Sequence, residues 1–242
     1  MPAPPAAPAV HLPTRSAPAA PAAQQPVLRI RQLCFAYPQQ APLLNGLSAD
    51  VAPGTTLLQG DTGSGKTTLL RLLAGEAASL CAAGALCSGS LALGGHDLAA
   101  APAAYRQQVC WFDPRDAAWD TATPAALMAA QRALHPGLDA AAWQCHLAGF
   151  ALGPHLDKPL YMLSTGSRHK AGLAVALAAG SALTLLDEPT GGLDAASVAY
   201  LVDALNRLGS MPQRALVLAS NQGLDGLVLA GRLVLGDLPA AT

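Results

Sequence analysis

The sequence predicts an α/β fold whose core is a mainly parallel sheet covered on both faces. Three features carry that expectation. Short apolar strands alternate with helical segments through most of the chain, the pattern of a doubly covered parallel sheet. A glycine-rich loop joins one such strand directly to a helix. A largely apolar run, Ala171 to Leu186, is cut by Gly180-Ser181 and so reads as a helix, a turn and a buried strand.

The elements follow in order. Residues Met1 to Pro26 hold eight Pro and nine Ala, with Arg15 the only charge. Such a segment has too little to bury and is expected to be a disordered or extended tail. No basic cluster precedes an apolar helix there, so it does not read as a secretory signal. From Val27, Val-Leu-Arg-Ile-Arg-Gln-Leu-Cys-Phe alternates apolar and polar residues like a half-exposed strand. Leu43 to Val51 reads as a second strand, Pro53-Gly54 as a turn and Thr55 to Leu58 as a short buried strand. Helical content spans Thr67 to Ala74, with Gly75 as its stop. Ser88 to Leu98 looks like a strand and turn at a sheet edge.

The middle, about 115–165, is rich in Ala and Leu and punctuated by Pro124, Pro136, Pro154 and Pro159. Short helices are expected there, as an insertion. A helix after Ser167 to about Ala179 leads into a strand at Ala182 to Leu186. Another helix covers roughly Ala195 to Leu208. The last strands are Ala215 to Ala219 and Gly226 to Leu235. There is no internal repeat, and residues 27–242 are read as one domain.

Bulk properties narrow the function classes. The 242 residues carry a formal net charge of −1, which argues against a nucleic-acid partner. Only 12% of residues are charged and 52% are hydrophobic; either an Ala- and Leu-rich bias or surface held against a partner accounts for this. The longest apolar run is shorter than the ~20 residues a spanning helix needs. Five cysteines and six histidines show no metal-type spacing, so free thiols and a cytosolic setting are expected. Trp111, Trp119 and Trp143 suit either the core or a docking face.

Three stretches carry chemistry. In QGDTGSGKTT, Gly60-x4-Gly65-Lys66-Thr67 satisfies the phosphate-loop pattern. Its glycines let backbone N–H groups of Gly60, Asp61, Thr62, Gly63, Ser64 and Gly65 curl around phosphate oxygens, and the helix begun at Lys66 adds its positive end. Lys66 would reach the β- and γ-phosphates, and the Thr67 hydroxyl, followed by Thr68, would hold magnesium. Second, Leu183-Thr184-Leu185-Leu186-Asp187-Glu188-Pro189-Thr190 ends a buried strand in two carboxylates, at the end where such sheets place ligands. Strand alternation would aim Asp187 at the magnesium shell and Glu188 at an attacking water. Third, Leu163-Ser164-Thr165-Gly166-Ser167 opens a helix; an ordinary N-cap looks the same.

Taken together, these stretches resemble the ATP-binding cassette ATPases, the nucleotide-binding subunits of ABC transporters, from Val27 to about Leu238. The glycine loop is similar to the family's Walker A and LLDEPT to its Walker B. Thr190-Gly191-Gly192-Leu193-Asp194 resembles the D-loop, and Leu163 to Ser167 the signature usually written LSGGQ. Tyr37 fits the aromatic that stacks on adenine. The resemblance implies a P-loop NTPase fold with an added N-terminal antiparallel β subdomain and a small helical insertion. It implies ATP and Mg2+ as ligands. It further implies a head-to-tail homodimer or paired cassette, each ATP lying between the loop of one subunit and Ser164 and Gly166 of the other, with Asp194 nearby. Glu188 would position water, and a membrane permease would be driven from its cytoplasmic face through the insertion. The compact outline is similar to cassettes of export or haem and cytochrome assembly systems.

Two positions depart from the family. In Val109-Cys110-Trp111-Phe112-Asp113-Pro114, Asp113 falls where a magnesium-contacting Gln is usual. After the strand Leu216 to Ala219, Asn221 stands where a His usually meets the γ-phosphate; Asn donates a hydrogen bond but carries no charge. The signature has Thr165 for a Gly and Ser167 for the Gln. Slow hydrolysis is the expectation. The alternative is a soluble, non-transport cassette protein acting as a nucleotide switch or assembly factor. A phosphate-loop kinase would leave the signature and D-loop unexplained.

Overall fold

The structure, a computed structural model, describes residues 25–111, 113 and 119–236. The Pro- and Ala-rich stretch read as a tail falls almost wholly on residues 1–24, outside the described residues.

Strand β1 (Leu28–Ala36) pairs antiparallel with β2 (Leu44–Val51) on one side and β4 (Leu86–Leu93) on the other. β4 turns through Gly94 and Gly95, both at positive φ, into the two-residue β5 (His96–Asp97). This gives a four-stranded antiparallel sheet ordered β2-β1-β4-β5. The second sheet contains β3 (Gly54–Gln59), β6 (Val109–Trp111), β7 (Leu183–Asp187), β8 (Ala215–Ala219) and β9 (Gly231–Val234). Its order is β6-β7-β8-β3-β9, and every pairing is parallel. The mainly parallel core and the separate N-terminal antiparallel sheet are both present.

Alternation along the central strands splits the core in two. Leu58, Leu183, Leu185, Val217 and Ala219 join Leu28, Ile30, Phe35, Leu91 and Leu93 of the antiparallel sheet, with α1 (Lys66–Leu73) wedged between. Leu57, Leu186, Leu216 and Leu218 face the other way, onto α5 (Ala140–Gly149), α6 (Thr165–Ala178) and α7 (Ala195–Gly209). Each buried Leu or Val contributes about 1.5–3 kcal/mol relative to exposure, so the period-2 pattern fixes which layer covers which face. From residue 119 to α6 the described chain is mainly helical as expected, with α4 (Pro124–Leu134), α5, and short 3-10 turns at Gly153–His155 and Leu160–Met162; residues 115–118 of the expected insertion lie outside the described residues. Trp143 is buried, and Trp111 and Trp119 pack partly buried against the core. Two short helices, α2 (Ala77–Ala82) and α3 (Pro102–Gln107), flank β4 and β5.

Strands β3 and β4 begin at Gly54 and Leu86, slightly before the expected Thr55 and Ser88, and two larger boundary differences have a clear cause. Helix α6 starts at Thr165 rather than after Ser167, because Ser164 accepts a hydrogen bond from the Ser167 N–H (3.1 Å) and caps the helix earlier. The last strand begins at Gly231, not Gly226. There Asn206 of α7 donates to the Gly226 carbonyl and accepts from the Val228 N–H, both at 2.9 Å, so those groups are spent on a turn rather than on a ladder. All five cysteines are free thiols. No helix of the described residues is long and apolar enough to cross a membrane.

Candidate functional site

The parallel order β7-β8-β3 brings the C-terminal ends of three central strands together at one end of the sheet. β3 delivers the glycine loop, β7 delivers Asp187 and Glu188, and β8 delivers Ser220 and Asn221. The loop needs its glycines at identifiable points. Gly63 has φ 87° and Gly65, the N-cap of α1, has φ 96°, values a side chain resists. A Cβ on Gly60 would lie 2.4 Å from Ser64 Oγ.

Lys66 opens α1 and is only 8% exposed. Its Nζ donates to the carbonyls of Gly60 (2.7 Å) and Asp61 (3.0 Å) and to Asn221 Oδ1 (2.6 Å). An ammonium is a donor only, so the amide oxygen of Asn221 must face it. One residue on, Thr67 Oγ1 donates to Asp187 Oδ2 at 2.7 Å, joining the loop helix to the end of β7. Thr68 Oγ1 and the Tyr37 hydroxyl are 3.0 Å apart, and the Tyr37 ring stands edge-on to Phe35 at 4.9 Å.

A cleft of about 500 Å³ results, lined by Tyr37, Gln40 and Leu43, by Thr62, Gly63, Gly65, Lys66, Thr67 and Thr68, and by Asp187, Glu188 and Asn221. The lining thus combines basic, hydroxyl and carboxylate groups with one aromatic ring. A hydroxyl and a carboxylate 2.7 Å apart form a hard-oxygen donor set of the kind magnesium takes. Among the described residues no group of three or more His, Cys, Asp or Glu side chains could hold a metal ion. A cation here would therefore complete its shell with water or phosphate oxygens, as magnesium commonly does.

The two carboxylates are separated differently from the strand alternation expected. β7 ends at Asp187, and Glu188 sits at φ 43°, in the left-handed region. For a residue with a Cβ this conformation costs on the order of 1–3 kcal/mol, and surrounding bonds must hold it. The Glu188 N–H donates to the Ala219 carbonyl (2.8 Å), and its carbonyl accepts from the Gly191 N–H (2.9 Å). Ser220 Oγ donates to Glu188 Oε2 at 3.5 Å. A left-handed turn, rather than the pleat, sets Glu188 apart from Asp187.

Ser164, Gly166 and Asp194 lie outside this cleft and form a second assembly. A Cβ on Gly166 would come within 2.4 Å of the Gly192 carbonyl, so the start of α6 lies close against the 190–194 turn. His169 Nδ1 is 2.8 Å from the Gly191 carbonyl, and Lys170 Nζ lies 2.6 Å from Asp194 Oδ2. Asp194 also caps α7 by accepting from the Ser197 N–H at 2.9 Å. The Lys170 hydrogen bond first, then those from Ser197, hold the Asp194 carboxyl well below its ordinary range. Asp113 is half-buried just beyond β6 and is not among the residues lining the cleft.

Three participants escape a reading by residue type: Ser220, which supports Glu188, and His169 and Lys170, which tie α6 to the 190–194 turn. Spacing held a clue for the last two, since they lie one turn inside a helix whose cap was already singled out.

The family model described as ABC transporter matches residues 44–191. A cytochrome c biogenesis ATP-binding export protein, CcmA, of Ruegeria pomeroyi is 33% identical over 190 residues, covering 78% of this chain and 83% of that protein. An aliphatic sulfonates import ATP-binding protein, SsuB, of Granulibacter bethesdensis is 32% identical over 212 residues, covering 87% and 80%. Among solved structures, an ATP-binding subunit of an ABC transporter superposes with a TM-score of 0.68 at 22% identity, covering 80% of this chain and 79% of that one. The chain belongs to the ABC transporter family, and its fold is that family's ATP-binding cassette.

Proposed function

We propose that this chain is the ATP-binding subunit of an ABC transporter, hydrolysing Mg-ATP in a head-to-tail pair to drive a separate membrane permease. The observation that carries the reading is the convergence of Lys66, Thr67, Asp187, Glu188 and Asn221 on one cleft. The backbone of the glycine loop and the start of α1 would bind phosphate oxygens, with Lys66 on the β- and γ-phosphates. Thr67 and Asp187 would hold Mg2+, which when bound neutralises phosphate charge and orients the leaving group. Tyr37 would stack on adenine. Glu188, steadied by Ser220, would position or activate water. Asp113 would reach the metal only through water.

Ser164 and Gly166 lie away from the cleft of their own subunit, which is what a site completed by a partner cassette requires. Their attachment to the turn carrying Asp194 supports treating the two as one unit presented to the partner. The relatives, one an export and one an import protein, support a transport role without choosing a direction. The chain would act at the cytoplasmic face of a membrane, held there by the permease, which selects the cargo. Nucleic acid is not a proposed partner.

Turnover is expected to be slow, because Asn221 meets the terminal phosphate without a charge. Glu188→Gln keeps shape and removes the carboxylate. It should lower ATP turnover of the purified protein by about 100-fold or more, the lower end of the 10²–10⁴ range of general base catalysis, and leave ATP binding intact. Equal turnover for the two proteins would remove Glu188 from the reaction.

A further inference from the structure

Arg168, His169 and Lys170 follow directly on Ser164 to Ser167 in the first turns of α6. A cation there opposes the positive end of the helix dipole, and no acidic residue lies in that first turn. Arg168 and Lys170 are each met from outside the helix instead. Lys170 Nζ lies 2.6 Å from Asp194 Oδ2, and Arg168 Nη1 lies 2.5 Å from Asp120 Oδ1. Two residues along a helix is a rotation of about 200°, so the two ion pairs leave α6 on opposite flanks. Lys170 ties it to the 190–194 turn of the core. Arg168 ties it to the helical insertion, where residues 120–122 form the turn that leads into α4. That turn is also stitched to the chain just ahead of Ser164: the Tyr161 N–H donates to the Asp120 carbonyl (3.0 Å) and the Leu160 N–H to the Ala122 carbonyl (2.9 Å). The Arg168 and Asp120 side chains are 20% and 36% exposed, so this pair is better shielded than the open surface pairs whose worth is small. Ser164 and Thr165, by contrast, are exposed. The tip of α6 is open while its two flanks are held.

We propose that Arg168 and Asp120 are positioning residues for ATP-driven pairing: their ion pair holds the Ser164–Gly166 turn at the angle from which it meets the nucleotide of a second copy. The inference rests on the head-to-tail arrangement proposed for this chain and adds the residues that aim the turn. Arg168 acts through Asp120 and not on phosphate, because its charge is engaged by a carboxylate. Phosphate contact is left to Ser164, Gly166 and the open start of the helix. Neither Arg168 nor Asp120 lines the subunit's own cleft, so ATP binding to a single subunit is independent of the pair.

The test uses the full chain with Mg-ATP in a Glu188→Gln background, where turnover is suppressed. Analytical ultracentrifugation gives the protein concentration for half-pairing. Titration of a fluorescent ATP analogue below that concentration gives the affinity of the single cleft. Asp120→Asn and Arg168→Gln should each raise the half-pairing concentration about tenfold, a size typical of coupling between contacting side chains, and leave single-cleft affinity within about twofold. The double variant should pair no worse than either single variant, because each removes the same contact. Arg168→Lys, which keeps the charge, should fall between the parent and Arg168→Gln. Weakened pairing in Arg168→Gln but not in Asp120→Asn would overturn the inference and make Arg168 a direct phosphate ligand. Unchanged pairing in both, or single-cleft affinity falling in step with pairing, would overturn it as well. Failure of the Glu188→Gln parent to pair with ATP would instead remove the head-to-tail arrangement itself, and the inference with it.

Discussion

Asn221→Asp is the perturbation that most directly interrogates the phosphate end of the cleft. The two side chains are nearly isosteric, so the fold should be unchanged. In the parent, Asn221 Oδ1 accepts from Lys66 Nζ at 2.6 Å, a charge-assisted hydrogen bond with a neutral acceptor. A carboxylate at the same distance adds a full Coulombic attraction. Asn221 is exposed while Lys66 is largely buried, so the attraction is at least that of a water-like dielectric, about 1.6 kcal/mol. Phosphate must compete with that carboxylate for Lys66 and must also approach a negative charge of its own sign. The first effect alone weakens ATP affinity at least about 15-fold, taking 1.4 kcal/mol as tenfold. Titration of a fluorescent ATP analogue, carried out in a Glu188→Gln background to suppress turnover, measures the change. Because Asn221 is exposed, raising salt from 0.05 to 0.5 M should shrink the defect. Asn221→Ala, which removes the acceptor without adding charge, should bind within a few-fold of the parent. An Asn221→Asp affinity within twofold of the parent at low salt would refute the Lys66–Asn221 contact as a determinant of phosphate binding.

Two further expectations concern stability and pH. Gly166→Ala places a methyl 2.4 Å from the Gly192 carbonyl, forcing α6 from the 190–194 turn at a cost of about 1–3 kcal/mol. At roughly 2–4 °C per kcal/mol for a chain of this size, calorimetry should show a clear fall in Tm, and an unchanged Tm would contradict the close packing. His146 sits beside the Tyr200 hydroxyl (2.8 Å), and burial, then Arg207 and Arg214, push its pKa from 6.5 down to about 4. Between those values the unfolded chain binds the proton and the folded chain does not, so stability should fall as pH drops from about 6.5 to about 4. His146→Phe should remove that component of the pH dependence in thermal melts, and an identical pH profile would reject it.

The legible parts of the site share one property: they depend on contiguous residues. Gly60 to Thr67 dictates a phosphate loop because glycine positions, the lysine and the hydroxyl all lie within one turn of chain. The Asp187-Glu188 pair was equally visible at the end of an apolar run. Other features were invisible for the opposite reason. That Asn221 meets Lys66 requires β8 to lie beside β3, a neighbour relation across 155 residues. The left-handed Glu188 depends on the Ala219 carbonyl of an adjacent strand. α2 and α3, six residues each, are too short to carry a helical period.

By itself, then, the sequence determined the α/β class, most strand and helix positions, the phosphate loop, the paired carboxylates and the resemblance to the ATP-binding cassettes. Apolar periodicity, glycine conformations and side-chain chemistry act over a few residues, so they are written along the chain. The strand orders β6-β7-β8-β3-β9 and β2-β1-β4-β5, the meeting of Asn221 with Lys66, and the lock between α6 and the 190–194 turn were decided only by the tertiary structure. Each depends on which apolar faces bury one another and which backbone groups then find partners, and those choices are settled when the layers pack together.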